Sequence, residues 1–425
     1  MPAGGARQLV LAAWLKRLET QHPKAMDLGL ERVQGVWQAL GAPRPAPKVV
    51  TVAGTNGKGS AVATLRALAQ AEGLRVGDTT SPHLHRFNER IVVQGAPAED
   101  DQIVAAFERI EVARGTTSLT YFETAILAAL LILKEAELDL AILEVGLGGR
   151  LDAVNIIDAD VALVTPVDLD HQAWLGTTRE AIGREKAGIF RPGHPVVIAD
   201  PNPPASVLDH ALALGCPLAR HGEDFRLEAE PQGARVRVAG LGARLQAPLT
   251  ASLPVAEPSF LGALQAFAAL GYPLEARHLT AALAMTPPPG RQRWLEVGSQ
   301  TIVFDVAHNP HAAAFLASRL EAPVSTAVFG CFEDKDAEAM FDALAPKVRQ
   351  WAFVDTEGPR GQSAAALADR LRGRPAAQGA IFHCLGALGP EALTWLRTAG
   401  GDRLAVLGSF TVVAAAERLL GLDRS

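Results

Sequence analysis

Val49-Val50-Thr51-Val52-Ala53, followed by Gly54-Thr55-Asn56-Gly57-Lys58-Gly59-Ser60, is the stretch on which the fold turns. An apolar, valine-rich run, a strand candidate from Lys48 to Ala53, meets a glycine-rich loop, and a segment at helical spacing then continues from Ala61 to Glu72. Strand, loop and helix in that order make a phosphate site. Glycines let backbone N–H groups curl around a polyphosphate, the helix N-terminus adds positive potential, and Lys58 reaches the distal phosphates. ATP is the expected ligand. The loop departs from GxxxxGK[ST], because Gly59 follows the lysine and the hydroxyl arrives one position later at Ser60, which puts the usual magnesium role of that hydroxyl in question. A bare glycine turn is the plainer alternative, and the lysine and its context weigh against it.

Outward from this loop, strand candidates at Leu138 to Val145, Asp160 to Thr165 and Pro195 to Ala199 alternate with alanine- and leucine-rich helical stretches. That alternation predicts an α/β fold: an N-terminal P-loop mononucleotide-binding domain with a mostly parallel sheet. Short alternating runs between Phe225 and Leu249 predict a small antiparallel insert, and helical spacing returns from Ser259 to Met285. Pro287-Pro288-Pro289-Gly290 removes three amide donors and restricts the backbone to extended or turn geometry, which places an interdomain linker there. The expected domains are 1–286, a linker 287–295, and 296–425. In the last, strand candidates at Thr301 to Val306, Thr326 to Gly330, Trp351 to Val354, Ala380 to Cys384 and Leu404 to Leu407 predict a smaller, Rossmann-like α/β domain.

Composition narrows the function. The chain has 425 residues, 46 acidic against 40 basic, and a formal net charge of −6, so nothing general draws it to polyanionic nucleic acid or membrane surfaces. Cys216, Cys331 and Cys384 are far apart and show no CxxC spacing, which argues against a disulfide framework or structural zinc. The apolar stretch Ala125 to Leu133 falls short of the ~18 residues of a membrane span. The run Leu9 to Leu15 is followed by Lys16, Arg17 and Glu19 without a small-residue cleavage site, so it reads as an amphipathic first helix of a cytoplasmic protein.

Further chemistry lies at strand ends. The run Leu140 to Val145 delivers Glu144 beside Gly146-Leu147-Gly148-Gly149, a position suited to binding magnesium or to capping a loop. Asp168-Leu169-Asp170-His171 follows another strand, and Arg184 to Ile189 closes a helical stretch containing Lys186. His83 and His85 form an HxH pair, but no zinc-spaced cluster accompanies them, and magnesium with oxygen ligands fits an ATP site better. Asp305, His308 and Asn309 group at another strand end that turns into a helix, and Gly408-Ser409-Phe410 precedes a second helix N-terminus suited to anions.

Taken in order, these motifs resemble the dihydrofolate synthase/folylpolyglutamate synthase family, within the ATP-dependent Mur-type ligases. The resemblance also includes Asp27 to Val33, Thr80 to Leu84, Phe87-Asn88-Glu89-Arg90, Leu119 to Glu123, Pro289-Gly290-Arg291 and Asp334-Lys335-Asp336. It implies that L-glutamate is added to dihydropteroate and to reduced folates through an acyl phosphate, by a monomer. Gly54, Thr55, Asn56, Gly57, Lys58, Gly59 and Ser60 would hold ATP, with Arg291 and Asp305 reaching it from the linker and second domain. Ser81, Glu144 and His171 match magnesium ligands, and Lys186 matches a lysine carbamylated by CO₂ that helps bind a second magnesium. Asp27, Thr120, Phe122 and Asp152 match pterin-binding segments. His308 and Ser409 match groups receiving glutamate, and Lys58, Lys186 and His308 carry the catalytic roles. One departure is that an ATP-contacting Asn of the family is missing from Phe260-Leu261-Gly262-Ala263-Leu264-Gln265, leaving Gln265 as the polar substitute. The competing readings are a Mur-type ligase for another carboxylate and a P-loop switch ATPase.

Overall fold

The central strand β1 is Lys48–Ala53, residue for residue the run expected from the valines, and only Lys48 is exposed. The computed structural model describes residues 3–24, 26–41, 44–231 and 233–422, without the side chains of residues 3–9. In chain order the other strands of the first sheet are β2 (Val76–Thr79), β3 (Ile91–Val93), β4 (Ala96–Pro97), β5 (Leu140–Glu144), β6 (Val161–Val164), β7 (Val196–Ile198) and β8 (Leu218–Arg220). Their order across the sheet is β4-β3-β2-β5-β1-β6-β7-β8. From β2 to β8 all neighbours are parallel, while β3 and β4 add an antiparallel edge.

Side chains of a strand alternate between faces, so one strand feeds two cores. Val49 and Ala53 join Ala141 and Leu143 in one core, which includes the helix Tyr121–Glu135. Val50 and Val52 join Leu140 and Ile142 in the other, under the helices Lys58–Ala71 and Glu257–Ala269. This burial on both faces explains why the strands read as continuous apolar runs. In Tyr121–Glu135 every residue from Glu123 to Leu133 is buried, which accounts for the apolar stretch noted above. Among the described residues no helix is long and apolar enough to cross a membrane.

The insert is a three-stranded antiparallel sheet, β9 (Phe225–Glu230), β10 (Gly233–Val238) and β11 (Leu245–Pro248), whose Phe225, Val236, Val238 and Leu245 close the second core. Helical spacing from Ser259 onward resolves into two helices, Glu257–Ala269 and Ala276–Leu283.

The chain divides into two compact units, Met1–Thr286 and Pro287–Ser425. The second holds β12 (Arg293–Val297), β13 (Gln300–Asp305), β14 (Val324–Phe329), β15 (Val348–Val354), β16 (Ile381–Gly386) and β17 (Arg403–Leu407), in the order β12-β13-β17-β14-β15-β16. Only β12 runs antiparallel, against β13. It begins at Arg293, inside the 287–295 stretch expected as linker, because Arg293 to Val297 find ladder partners from Phe304 to Gln300.

Candidate active site

The loop after β1 is shaped by two glycines with no room for a side chain. Gly54 has φ +149°, and a Cβ there would lie 1.9 Å from Thr165 Oγ1; Gly57, at φ +85°, is the left-handed N-cap of the helix Lys58–Ala71. The loop is tied to the segment after β6: Thr55 and Asn56 donate their N–H groups to the Pro166 carbonyl. Thr55 Oγ1 donates to the Asp168 carbonyl at 2.9 Å and accepts from the Asp168 N–H at 3.0 Å.

Two lysines converge on one carbonyl. Lys58 Nζ donates to the Gly54 oxygen at 3.0 Å, and Lys186 Nζ, from the helix Arg179–Ala187, donates to the same oxygen at 2.8 Å. Lys186 is buried. Burial, reinforced by the Lys58 charge, holds its amine well below the ordinary lysine range, against the pull of Asp170 and Asp152.

Glu144 ends β5, beside β1, and is buried; its Oε2 accepts the Ser81 N–H at 3.2 Å, so the β2–β3 connection and β5 deliver these two residues together. His171 has φ +51° and caps the short helix Gln172–Leu175, its N–H bound by Asp170 Oδ1. Among the described residues no group of three or more His, Cys, Asp or Glu side chains forms a ready metal cage. Mg²⁺ keeps waters and substrate phosphates beside one or two protein carboxylates, and Glu144 at the end of β5 is a carboxylate of that kind.

The four residues matched to pterin segments lie along connected elements. Asp27 Oδ2 pairs with Arg32 at 2.8 Å; Arg32 reaches Glu123 Oε1 at 2.9 Å; and Glu123 Oε2 accepts the Thr120 N–H while Thr120 Oγ1 accepts that of Glu123. Arg32 and Glu123 thus join Asp27 to the start of the helix Tyr121–Glu135, roles that no local spacing indicated. Phe122 lies on Gly146, where a Cβ would meet its ring at 2.4 Å. Asp152 closes the same turn by accepting the N–H groups of Leu147 and Val154 at 2.8 and 3.1 Å. Burial pushes its carboxyl up to about 6, although these N–H groups and Lys58 favour the anion.

One expectation changes. Gln265 does not replace the missing Asn: its Nε2 donates to the Gly240 carbonyl at 2.6 Å and its Oε1 accepts the Gly240 N–H at 3.0 Å, so the whole amide is spent on closing the insert. His83 Nδ1 accepts from Arg90 Nε at 2.8 Å, which turns that ring toward an arginine. Arg90, stacked 5.7 Å from the rings of both Phe87 and Tyr121 and subject to the charge of Glu144, is a cation the sequence reading did not single out.

In the second unit, Asp305 ends β13 and accepts the N–H groups of Ala307 and Gln292 at 2.8 and 3.1 Å. Its pKa is raised by burial, against the charge of Arg291. Arg291 lies 5.5 Å from the Phe410 ring, and the His308 ring is 6.1 Å from the same ring. Asn309 and Ser409 cap the helices Pro310–Arg319 and Phe410–Leu419. Because β13 pairs with β17, with Asp305 opposite Leu407, these residues share one end of the sheet.

The chain as a whole is similar to known proteins. The family model "Mur ligase, glutamate ligase domain" matches residues 290–410. The dihydrofolate synthase/folylpolyglutamate synthase of Escherichia coli (strain K12) is 41% identical over 98% of this chain and 96% of that protein. Its Haemophilus influenzae counterpart is 40% identical over 85% of this chain and 86% of its own length. Among solved structures, E. coli FolC in complex with DHPP and ADP matches with TM-score 0.88 at 40% identity, over 98% of each chain. The bifunctional enzyme of Yersinia pestis complexed with AMPPNP and a Mn ion matches with TM-score 0.87 at 40% identity, over 97% of this chain and 98% of that one. With 41% identity to the E. coli protein over 98% of its length, the chain belongs to the dihydrofolate synthase/folylpolyglutamate synthase family of ATP-dependent Mur-type ligases.

Proposed function

We propose that the protein joins the amine of L-glutamate to the carboxylate of dihydropteroate, and adds further glutamates to reduced folates, each time spending one ATP. The observation that carries this reading is the convergence of Lys58 and Lys186 on the Gly54 carbonyl, with Glu144 at the end of the adjoining strand. The names of relatives at up to 41% identity supply the substrates.

Amide formation from a carboxylate is unfavourable in water, so the carboxylate is first activated. Its oxygen attacks the γ-phosphorus in line and ADP leaves, giving an acyl phosphate. Lys58 gives up the Gly54 carbonyl to neutralise the phosphate, and the loop N–H groups of Gly54 to Ser60 hold the remaining oxygens. Glu144 and Ser81 would hold one Mg²⁺, and His171 with carbamylated Lys186 a second; bound there, the ions supply charge neutralisation for phosphoryl transfer. The donor chemistry fits. Only an unprotonated amine adds to CO₂, and burial beside Lys58 shifts Lys186 toward that form; the nitrogen bonds to the CO₂ carbon, its proton passes to water, and the resulting carbamate offers Lys58 an opposite charge.

Asp27, Thr120, Phe122 and Asp152 take the pterin, Arg291 and Asp305 contribute to ATP, and His308 and Ser409 receive glutamate. The amine, once deprotonated, attacks the acyl carbon and phosphate leaves. The first unit acts as the ATP-binding domain and the second as the glutamate-binding domain, in a cytoplasmic monomer with small-molecule partners alone.

The test is mass spectrometry of products after incubation with ATP, magnesium, L-glutamate and either dihydropteroate or tetrahydrofolate. Glutamate added to both establishes both activities, and to one alone assigns that one. Addition to neither, with ATP still hydrolysed, overturns the proposal in favour of another ligase substrate or a switch ATPase.

A further inference from the structure

Every residue from Ser259 to Ala268 in the helix Glu257–Ala269 is buried, so each polar side-chain atom there requires a partner inside the protein. Gln265 finds both of its partners on Gly240. Ser259, fully buried in the first turn, has none: its Oγ makes no hydrogen bond with the described residues.

That hydroxyl lies against the phosphate loop. A Cβ on Gly57 would come 2.0 Å from Ser259 Oγ, so the oxygen touches the Gly57 backbone itself. Gly57 is the residue whose left-handed φ of +85° turns the loop into the helix, and it therefore aims the first N–H groups of that helix. A buried hydroxyl without a partner costs stability, and a valine or alanine would fill such a place at no such cost. Its location against a residue that orients the anion-binding amides points to a role in that loop.

We propose that Ser259 is a positioning residue of the phosphate loop: its hydroxyl holds Gly57 in place and hydrogen-bonds to the loop when the loop's peptide groups turn toward a bound polyphosphate. The inference rests on reading Gly54 to Ser60 as the nucleotide site and adds the element that backs it. Ser259 acts through Gly57 rather than on the reacting atoms.

The experiment compares Ser259→Ala with the unaltered protein by calorimetric titration with MgADP, by thermal melting without nucleotide, and by KM for ATP against kcat. We expect ADP affinity to fall about fivefold, the equivalent of one ordinary hydrogen bond. The melting temperature should stay level or rise, and KM for ATP should increase with kcat and KM for glutamate unchanged. Ser259→Thr, which keeps the hydroxyl, should restore ADP affinity wherever it melts like the parent. ADP affinity in Ser259→Ala within twofold of the parent overturns the inference, as does a parallel loss of melting temperature and affinity, which would mark a purely structural serine. If the unaltered protein itself fails to bind MgADP, the nucleotide reading of the loop is what fails.

Discussion

The strand ends of the two units use their polar groups in opposite ways. In the second unit they are satisfied locally: Asn309 and Ser409 each cap their own helix, and both oxygens of Asp305 accept backbone N–H groups. In the first unit the loop gathers groups that do not suit one another. Two lysines share one carbonyl, Lys186 is held below its ordinary pKa, and the adjoining Asp152 is held above its own. Burial raises the pKa of Asp305 as well, so what sets the first unit apart is the pair of lysines, since like charges converging on one carbonyl mark a chemical site. The difference teaches that mutations in the first unit should reach activity before stability, while those in the second reach both.

The largest effect separating the two should come from Lys58→Ala. Ligase activity should fall about 1000-fold, with a melting temperature no lower than the parent's, since a cation beside Lys186 is removed. Steady-state kinetics with melting decides it, and retained activity would break the contrast. Next, Lys186→Ala should cost about 100-fold in activity, and the unaltered protein should gain activity and intact mass with added bicarbonate. Indifference of both quantities to bicarbonate would remove the carbamate from the reading. In the second unit Asn309→Ala should cost about 1 kcal/mol of stability through its lost cap, measured by denaturant unfolding, besides any loss of activity. An Asn309→Ala protein that lost activity alone would erase the distinction.

The smallest effect concerns acid. Burial, with the Arg90 charge, holds His83 at about 4 against an ordinary 6.5. The unfolded chain therefore takes up that proton first as pH falls, so this contribution to stability is full above 6.5 and lost progressively toward 4. His83→Gln keeps an acceptor for Arg90 without titrating, and should flatten that part of the stability profile between those limits. An unchanged slope would mean that His83 is already protonated in the folded protein.

Legibility in the sequence followed the range of the interactions. Valine-rich β1 and the parallel strands around it were readable because burial on both faces leaves an uninterrupted apolar run. The neighbouring β2 was not, since its four residues include Gly77 and the buried Asp78, which is tolerated only because Arg66 pairs with it at 2.9 Å from another element. Gln265 was read as a ligand group because its local pattern gives no sign of Gly240, 25 residues earlier. Local pattern gave Arg90 and Ser259 no role, because the Tyr121 ring and the Gly57 backbone they pack against lie far away in the chain.

The strand, the glycine loop and the helix that follows are written in consecutive residues, because left-handed glycines, unpaired helix N–H groups and apolar periodicity are local properties of a chain. That the amine of Lys186 meets a carbonyl 132 residues earlier, beside Lys58, was decided by folding alone. The depressed pKa of Lys186 comes from loss of water, reinforced by the Lys58 charge brought close in space, and neither exists until the strands have brought their loops together.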